Sequence, residues 1–251
     1  MIREEIVFGP IRSRRLGSSL GINLLPEKGK LCNFDCIYCE CGWNSDGRDD
    51  KRIPTPSELR VALKAKLEDC KANNVGIDSI TFSGDGEPTL NPGFPEIIDI
   101  TLELRDRYYP AAKVSVLSNA TMAHKDEIFE ALRKVDNPIM KIDAPTDALA
   151  GYINRPCPGY SVCAVVESLK RFRGDFVLQT MFLKSGSFDS SDPGQLGAWM
   201  DIVRMLHPRE VMVYTIDRET PQKGLEKFTA ERMRELVQPL IDEGYIIQIK
   251  A

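Results

Sequence analysis

The sequence lacks any long apolar run. No stretch reaches the roughly 18 apolar residues that a membrane-spanning helix requires. The first residues, Met1 to Gly9, carry Arg3, Glu4 and Glu5 where a secretory signal would place an apolar segment. We therefore expect a cytoplasmic protein that does not use a membrane.

A strong excess of basic residues is also lacking. The chain has 33 Lys and Arg against 37 Asp and Glu, a net charge of −4. Nucleic-acid-binding proteins usually carry a strongly basic imprint, so the overall balance does not favour such a partner. Residues 1–31 instead have more basic than acidic residues. This local excess of positive charge either binds phosphates or belongs to a solvated loop. The basic residues there are Arg3, Arg12, Arg14, Arg15, Lys28 and Lys30, and the acidic ones are Glu4, Glu5 and Glu27.

Low-complexity tracts and internal repeats are absent. With 42% hydrophobic and 28% charged residues, the composition excludes disordered, collagen-like and coiled-coil classes. A chain of 251 residues can close one substantial core. We predict a single domain, 1–251, made of an N-terminal extension (1–18), a core (19–218) and a C-terminal helix and strand (219–251).

Apolar runs and helical patterns alternate along the chain. Strands are predicted at 19–26, 79–83, 113–117, 139–142, 176–182, 210–216 and 245–249. The first helix begins at the capping box Thr55-Pro56-Ser57-Glu58 and buries a face that ends at Cys70. Further helices are predicted at 94–107, 125–133, 161–172, 195–206 and 230–242.

This alternation is typical of βαβ units around a parallel sheet. We expect an α/β fold, a partial (β/α)6 barrel of parallel strands with an N-terminal extension and one extra C-terminal strand. Its ligand site should lie at the carboxyl ends of the strands.

Seven cysteines, an odd number, argue against a disulfide framework. Three of them, Cys32, Cys36 and Cys39, have the spacing C-x3-C-x2-C on the loop after the first predicted strand. Three thiolates can hold three corners of an iron–sulfur cube and leave one iron open, whereas structural zinc and electron-transfer clusters normally take four ligands. We therefore predict a reactive metal cluster.

The other four cysteines are not expected to bind the cluster. Cys41 is close enough to be proposed as a fourth ligand, but the C-x-C step is tight, and we expect it not to bind. Cys70 and Cys163 lie on predicted helices and are expected in the core. Cys157, on a predicted loop, is either a reactive thiol or an incidental one.

The C-x3-C-x2-C loop, with Tyr38 before its last cysteine, resembles the signature of the radical S-adenosylmethionine (SAM) superfamily. The resemblance implies that the open iron of a [4Fe-4S] cluster binds SAM and cleaves it to a 5′-deoxyadenosyl radical. The segment Gly84-Asp85-Gly86-Glu87 is similar to the family's glycine-rich motif, whose glycines and carboxylate approach the methionyl group.

By the same resemblance, Tyr38 and polar residues at later strand ends contact the ribose, the methionine carboxylate and the adenine. Asp143 is the candidate for the ribose hydroxyls. Capping of strand-end backbone groups is the alternative for Asn119 and Gln179. The strand-end residues are Ser118, Asn119, Asp143, Gln179 and Tyr214.

Further segments resemble small radical SAM oxidoreductases related to the enzymes that build the wyosine base of transfer RNA. They are 8–17, 83–90, 141–144, 154–156 and 214–218. The wyosine enzymes carry extra upstream cysteines, which residues 1–31 lack.

The resemblance to this subgroup and the cluster of Arg12, Arg14 and Arg15 predict an RNA or nucleoside substrate. The alternatives are a peptide or protein, including activation of a glycyl-radical enzyme, and a non-catalytic iron–sulfur protein. A reductant such as flavodoxin or ferredoxin is the implied partner.

Overall fold

The computed structural model describes residues 5–13, 16–26, 29–46, 52–186 and 188–251. Arg14 and Arg15, which belong to the predicted N-terminal basic group, lie outside these ranges. The chain divides into two compact units. Unit 1 contains residues 1–32, 44–118 and 122–138, and unit 2 contains residues 33–43, 119–121 and 139–251.

Unit 1 holds four strands in the order β1-β2-β3-β4. β1 is antiparallel to β2, and β2, β3 and β4 are parallel. Their bounds are β1 Val7–Ser13, β2 Gly17–Ile22, β3 Ser79–Phe82 and β4 Lys113–Ser118. β2 ends earlier than predicted because the buried Asn23 turns the chain, its side-chain oxygen accepting from the backbone N–H groups of Leu25 and Asp85.

Three helices complete unit 1: α1 Pro56–Ala72, α2 Phe94–Tyr108 and α3 Asp126–Lys134. The capping box at Thr55 is confirmed, since its side chain accepts from the Glu58 N–H and the Glu58 carboxylate accepts from the Thr55 N–H. α1 buries Leu59, Leu63 and Cys70, as its 3.6-residue periodicity predicts.

Unit 2 holds a parallel sheet in the order β5-β6-β9-β11. These strands are β5 Asn137–Lys141, which enters unit 2 at Ile139, β6 Val177–Met181, β9 Glu210–Tyr214 and β11 Ile247–Lys250. A small antiparallel sheet joins β7 Leu183–Ser185 to β8 Phe188–Asp189 and β10 Glu226–Lys227.

The helices of unit 2 are α4 Asp147–Ile153, α5 Val162–Lys170, α6 Pro193–Leu206 and α7 Ala230–Asp242. The outer face of β6 packs on α6, where the Trp199 Nε1–H donates to the Thr180 hydroxyl at 3.1 Å. Residues of β6 that point the other way therefore face away from this helix.

The predicted α/β class with mostly parallel strands is confirmed, as are all seven predicted strands and all six predicted helices. The sequence did not reveal β1, α4, β7, β8 or β10. The last four have seven residues or fewer, too short for a periodic pattern. That residues 1–251 form a single domain stays a prediction.

One core prediction is wrong. Cys163 is exposed, because α5 buries Val162, Val165, Val166 and Leu169, a stripe that leaves position 163 on the outer side of the helix. Within the described parts of the chain, no helix has both the length and the apolar character needed to cross a membrane.

Candidate active site

The cysteine loop is held in unit 2 by the end of α4. The backbone N–H groups of Asp35 and Ile37 donate to the carbonyls of Asn154 and Ile153 at 2.8 and 2.9 Å. The loop then turns, with the Cys39 N–H donating to the Cys36 carbonyl at 3.1 Å. The thiols of Cys36 and Cys39 are therefore presented on a fixed backbone.

Asn154 connects this loop to the sheet. Its side chain is buried, and its amide nitrogen donates to the Cys36 sulfur at 3.4 Å and to Asp143 Oδ2 at 2.7 Å. The pKa of the Cys36 thiol is raised to about 11, mainly by burial and also by Asp143, while Lys141 and the Asn154 hydrogen bond oppose the shift.

Asp143 lies at the centre of a buried polar network. Its Oδ2 accepts from the Tyr38 hydroxyl and from Asn154, and its Oδ1 accepts from the Met181 backbone N–H at 2.8 Å. Burial raises the pKa of Tyr38 well above its usual value, and the Asp143 carboxylate raises it further. The predicted ribose contact for Asp143 stays a prediction, and the carboxylate already accepts three hydrogen bonds within unit 2.

Lys141 extends the network toward β9. Its ammonium lies 4.9 and 5.0 Å from the ring centroids of Tyr38 and Tyr214, and it donates to both hydroxyls. The Asp143 carboxylate is 3.7 Å away. Although burial alone would lower the pKa of Lys141, Asp143 and Tyr214 raise it overall, so the side chain stays charged.

In unit 1, the chain leading into Cys32 runs beside the predicted glycine-rich motif. The Leu31 N–H donates to the Asp85 carbonyl at 3.0 Å, and the Glu87 N–H donates to the Leu31 carbonyl at 3.0 Å. Gly86 has φ +140°, and a Cβ there would lie 1.9 Å from the Leu31 oxygen. The protein's own backbone therefore requires this glycine.

Gly84 has a comparable explanation, since a Cβ at this position would lie 2.0 Å from the Asn23 side-chain oxygen. Close packing accounts for both glycines without a ligand. Their predicted approach to a methionyl group stays a prediction.

Glu87 is buried at the start of a single 3-10 turn, Pro88–Leu90. Its Oε1 accepts from the Thr89 backbone at 3.2 Å, from the Thr89 hydroxyl at 2.5 Å and from the Ser118 hydroxyl at 2.9 Å. The two predicted residues Glu87 and Ser118 therefore meet directly. A carboxylate held in this way can cap the 3-10 turn, and it can also accept hydrogen bonds from a ligand.

Asn119 is buried in a polar group of unit 2. Its amide nitrogen donates to the Asn33 side-chain oxygen at 2.6 Å, and its own oxygen accepts from the Thr121 N–H at 3.1 Å. The backbone-capping alternative is thus present for Asn119. Asn33 belongs to the cysteine loop, so Asn119 also supports that loop.

Gln179 lies in the middle of β6 and is 2% exposed. Its side-chain nitrogen has no hydrogen-bond partner among the described residues. An unpaired buried amide carries an energetic cost that a bound ligand would remove.

Two residues of the site had no role assigned from the sequence, namely Lys141 and Asn154. Their segments carried part of the family resemblance, but only the folded chain places their side chains against Tyr38 and Asp143. In the part of the chain that the structure describes, no three His, Cys, Asp or Glu side chains converge on a point suited to one metal ion. This result concerns a single metal ion. In an iron–sulfur cube each cysteine thiolate binds a different iron, so the three side chains need not converge on one point.

The donor set fits an iron–sulfur cluster. Cys32, Cys36 and Cys39 are half-buried and form no disulfide, and an amide donates to one of the sulfurs, the kind of contact that tunes such clusters. The α/β fold and the loop of three cysteines match a class of proteins that hold an iron–sulfur cluster.

The model of the radical SAM superfamily matches residues 27–182, more than half of the chain, so the chain belongs to that superfamily. Members use a [4Fe-4S] cluster and SAM.

Among sequence relatives, a UPF0026 protein of Methanocaldococcus jannaschii is 31% identical over 185 residues, which are 72% of this chain and 54% of that protein. A protein named GTPase Obg from Brachyspira hyodysenteriae is 29% identical over 92% of this chain and 33% of its own length. The chain thus spans about half of the first relative and a third of the second.

Solved structures show the fold. A radical SAM methyltransferase from Sphaerobacter thermophilus has a TM-score of 0.70 at 16% identity, over 92% of this chain and 66% of that one. Streptococcus suis SuiB bound to SAM gives 0.64 at 16% identity, over 89% of this chain and 49% of that one. SuiB has also been solved with its precursor peptide SuiA. The predicted partial barrel is therefore the fold of this chain.

Proposed function

We propose that this chain is a radical SAM enzyme in which Cys32, Cys36 and Cys39 hold the [4Fe-4S] cluster. The geometry of the cysteine loop supports this proposal. Backbone hydrogen bonds fix the loop to the end of α4, and the Asn154 amide donates to the Cys36 sulfur. When bound, the cluster supplies the electron that cleaves SAM to a 5′-deoxyadenosyl radical, which abstracts hydrogen from the substrate.

The protein's own residues bind and orient. Glu87, oriented by Ser118 and Thr89, is proposed to accept from the SAM ammonium group. Asn119 is also proposed to contact SAM, and within unit 2 it holds the cysteine loop through Asn33. The radical chemistry belongs to the cofactor, so these residues act by positioning and by excluding water.

Tyr38, Asp143 and Tyr214 form a second group of proposed site residues, which lies within unit 2. Their network keeps the Lys141 ammonium against the Tyr38 and Tyr214 rings and 3.7 Å from the Asp143 carboxylate. We propose that this network fixes the loop geometry and that Tyr214 and Lys141 face the substrate.

We propose a nucleoside-type substrate, with flavodoxin or ferredoxin as reductant and the cytoplasm as location. A peptide substrate is the second candidate, favoured by the fold likeness to SuiB, which binds SuiA. Activation of a glycyl-radical enzyme belongs to that second class.

The test begins with anaerobic reconstitution of the full chain with iron and sulfide. We expect a [4Fe-4S] electron paramagnetic resonance signal after reduction, and 5′-deoxyadenosine when SAM and dithionite are added. Cys36→Ala should abolish both. The matched control is Cys41→Ala, another half-buried cysteine of the same segment, which should retain both. Loss of the cluster in the control, or no 5′-deoxyadenosine from the wild type, would contradict the proposal.

A further inference from the structure

Asn154 occupies a fixed position at the end of α4. Its backbone N–H donates to the Ala150 carbonyl at 2.8 Å, and the next residue, Arg155, adopts a φ of +45° and donates to the same carbonyl at 3.1 Å. A left-handed residue of this kind ends a helix and turns the chain away from the helix axis. The Asn154 carbonyl in turn accepts from the Asp35 N–H of the cysteine loop at 2.8 Å. The backbone alone therefore places Asn154 beside the loop.

The side-chain nitrogen of Asn154 has three acceptors within hydrogen-bond distance. They are Asp143 Oδ2 at 2.7 Å, the Tyr38 hydroxyl at 3.0 Å and the Cys36 sulfur at 3.4 Å. Asn154 is 2% exposed, so water competes little for these hydrogen bonds. The amide therefore connects the sulfur of a proposed cluster ligand to the buried polar network around Asp143.

Asp143 decides which end of the amide faces the sulfur. A carboxylate only accepts hydrogen bonds, so the Asn154 atom that lies 2.7 Å from Asp143 has to be the nitrogen and not the oxygen. The Met181 backbone N–H holds the carboxylate at 2.8 Å, and the Lys141 ammonium lies 3.7 Å away as its counter-ion. The same orientation presents an N–H donor, rather than a carbonyl oxygen, to the Cys36 sulfur.

The Tyr38 hydroxyl is the weaker competitor for the second amide hydrogen. It already accepts from the Lys141 ammonium at 3.1 Å and donates to Asp143. An iron-bound thiolate carries negative charge, and hydrogen bonds to charged acceptors are roughly twice as strong as those to neutral ones. The second hydrogen of Asn154 therefore favours the Cys36 sulfur once the cysteine is a cluster ligand.

We propose that Asn154 is a positioning residue that sets the reduction potential of the cluster through its hydrogen bond to the Cys36 sulfur, and that Asp143 fixes the direction of this bond. Reduction adds one negative charge to a cluster, so an N–H donor on a sulfur stabilises the reduced state more than the oxidised one. Asn154 thus makes the cluster easier to reduce. The inference rests on the proposed function, whose electron-transfer step it concerns.

The test measures the midpoint potential of the reconstituted full chain, without SAM, by anaerobic redox titration followed by electron paramagnetic resonance. Asn154→Leu keeps the size of the side chain and removes the donor. We expect its potential to fall by the equivalent of about threefold or more in the equilibrium constant of reduction. The resonance signal itself should persist, because all three cysteines remain. An unchanged potential would overturn the proposal.

The matched control is Gln222→Leu, which also replaces an amide by leucine beside the same loop. The Gln222 side chain accepts from Arg155 at 3.2 Å and donates to Ser185 at 3.0 Å. Its backbone N–H donates to the Ile37 carbonyl at 3.2 Å, a bond that leucine keeps. The potential of this variant should stay within about 1.5-fold in the same equilibrium constant. Equal shifts in both variants would mean a general disturbance of the loop and would overturn the assignment to Asn154.

A measurement on the wild type covers the case in which Asn154→Leu does not fold. The chain is labelled with the heavy nitrogen isotope at the side-chain amides of asparagine, and pulsed electron paramagnetic resonance is recorded on the reduced cluster. We expect a weak coupling to labelled nitrogen, because a hydrogen bond to the sulfur carries spin density onto its donor. Absence of this coupling would by itself overturn the proposal.

Formation of 5′-deoxyadenosine from SAM is measured in parallel, so that the two proposals fail separately. A wild type that cleaves SAM, together with an Asn154→Leu variant of unchanged potential, overturns this inference alone. The expected shift in a chain that does not cleave SAM overturns the proposed function alone. A wild type that assembles no cluster overturns both.

Discussion

Asp143 offers the sharpest test of the buried network, because its side chain is completely buried while Lys141 is 18% exposed. Asp143→Ala removes the carboxylate that lies 3.7 Å from the ammonium and leaves the Met181 N–H without its acceptor. Breaking a buried ion pair from one side costs about 3–5 kcal/mol. For a chain of this size, this cost lowers the melting temperature by about 6–20 °C.

A double-mutant cycle separates the pair from general damage. Lys141→Met removes the charge and keeps most of the packing, so Asp143→Ala should cost less in that background. We expect a coupling energy of about 1–3 kcal/mol. The matched control is the exposed pair Arg60 and Glu103, 44% and 57% exposed, whose coupling should be about 0.2–1 kcal/mol.

The assay is urea unfolding of the full, iron-free chain under reducing anaerobic conditions, followed by circular dichroism. Stability within about 1 kcal/mol of the wild type for Asp143→Ala would refute the reasoning. So would a coupling no larger than that of the exposed pair, because it would mean that Lys141 does not depend on Asp143.

Two further predictions concern backbone geometry. Gly86→Ala should destabilise the chain, because its Cβ would overlap the Leu31 carbonyl at 1.9 Å, whereas Gly151→Ala, in a helix with nothing within 4 Å, should be neutral or stabilise by about 0.4–1 kcal/mol. Melting curves of both variants check this, and similar stabilities would contradict it. Thr55→Ala removes the capping box of α1 and should cost about 1 kcal/mol, or about 2–4 °C, by calorimetry. No change would show that packing alone holds that helix.

Local patterns made several features predictable. The spacing of Cys32, Cys36 and Cys39, the capping box at Thr55 and the alternation of strands and helices all depend on residues close together in the chain. Hydrophobic periodicity and capping act over a few residues, so they can be seen without tertiary contacts. Strand-end positions likewise follow from element order, which is why Ser118 could be named.

The hydrogen-bond partners of side chains could not be predicted from the sequence. Tyr38 bonds to Asp143 across 105 positions, and Asn154 reaches Cys36 across 118. The buried face of a helix also depended on the packed structure. Cys163 was expected in the core but is exposed, because the apolar pattern of a short helix does not fix whether a residue at its edge is buried.

The amino-acid sequence by itself determined the cofactor class and the α/β architecture, because short-range spacing sets both the thiol loop and the element order. The tertiary structure decided which polar groups are already satisfied and which are not. It showed that Gly84 and Gly86 are required by the approach of Asn23 and Leu31, and that Gln179 keeps an unpaired buried nitrogen. Hydrogen-bond satisfaction depends on neighbours from distant segments, so only the folded chain could show which polar groups are paired.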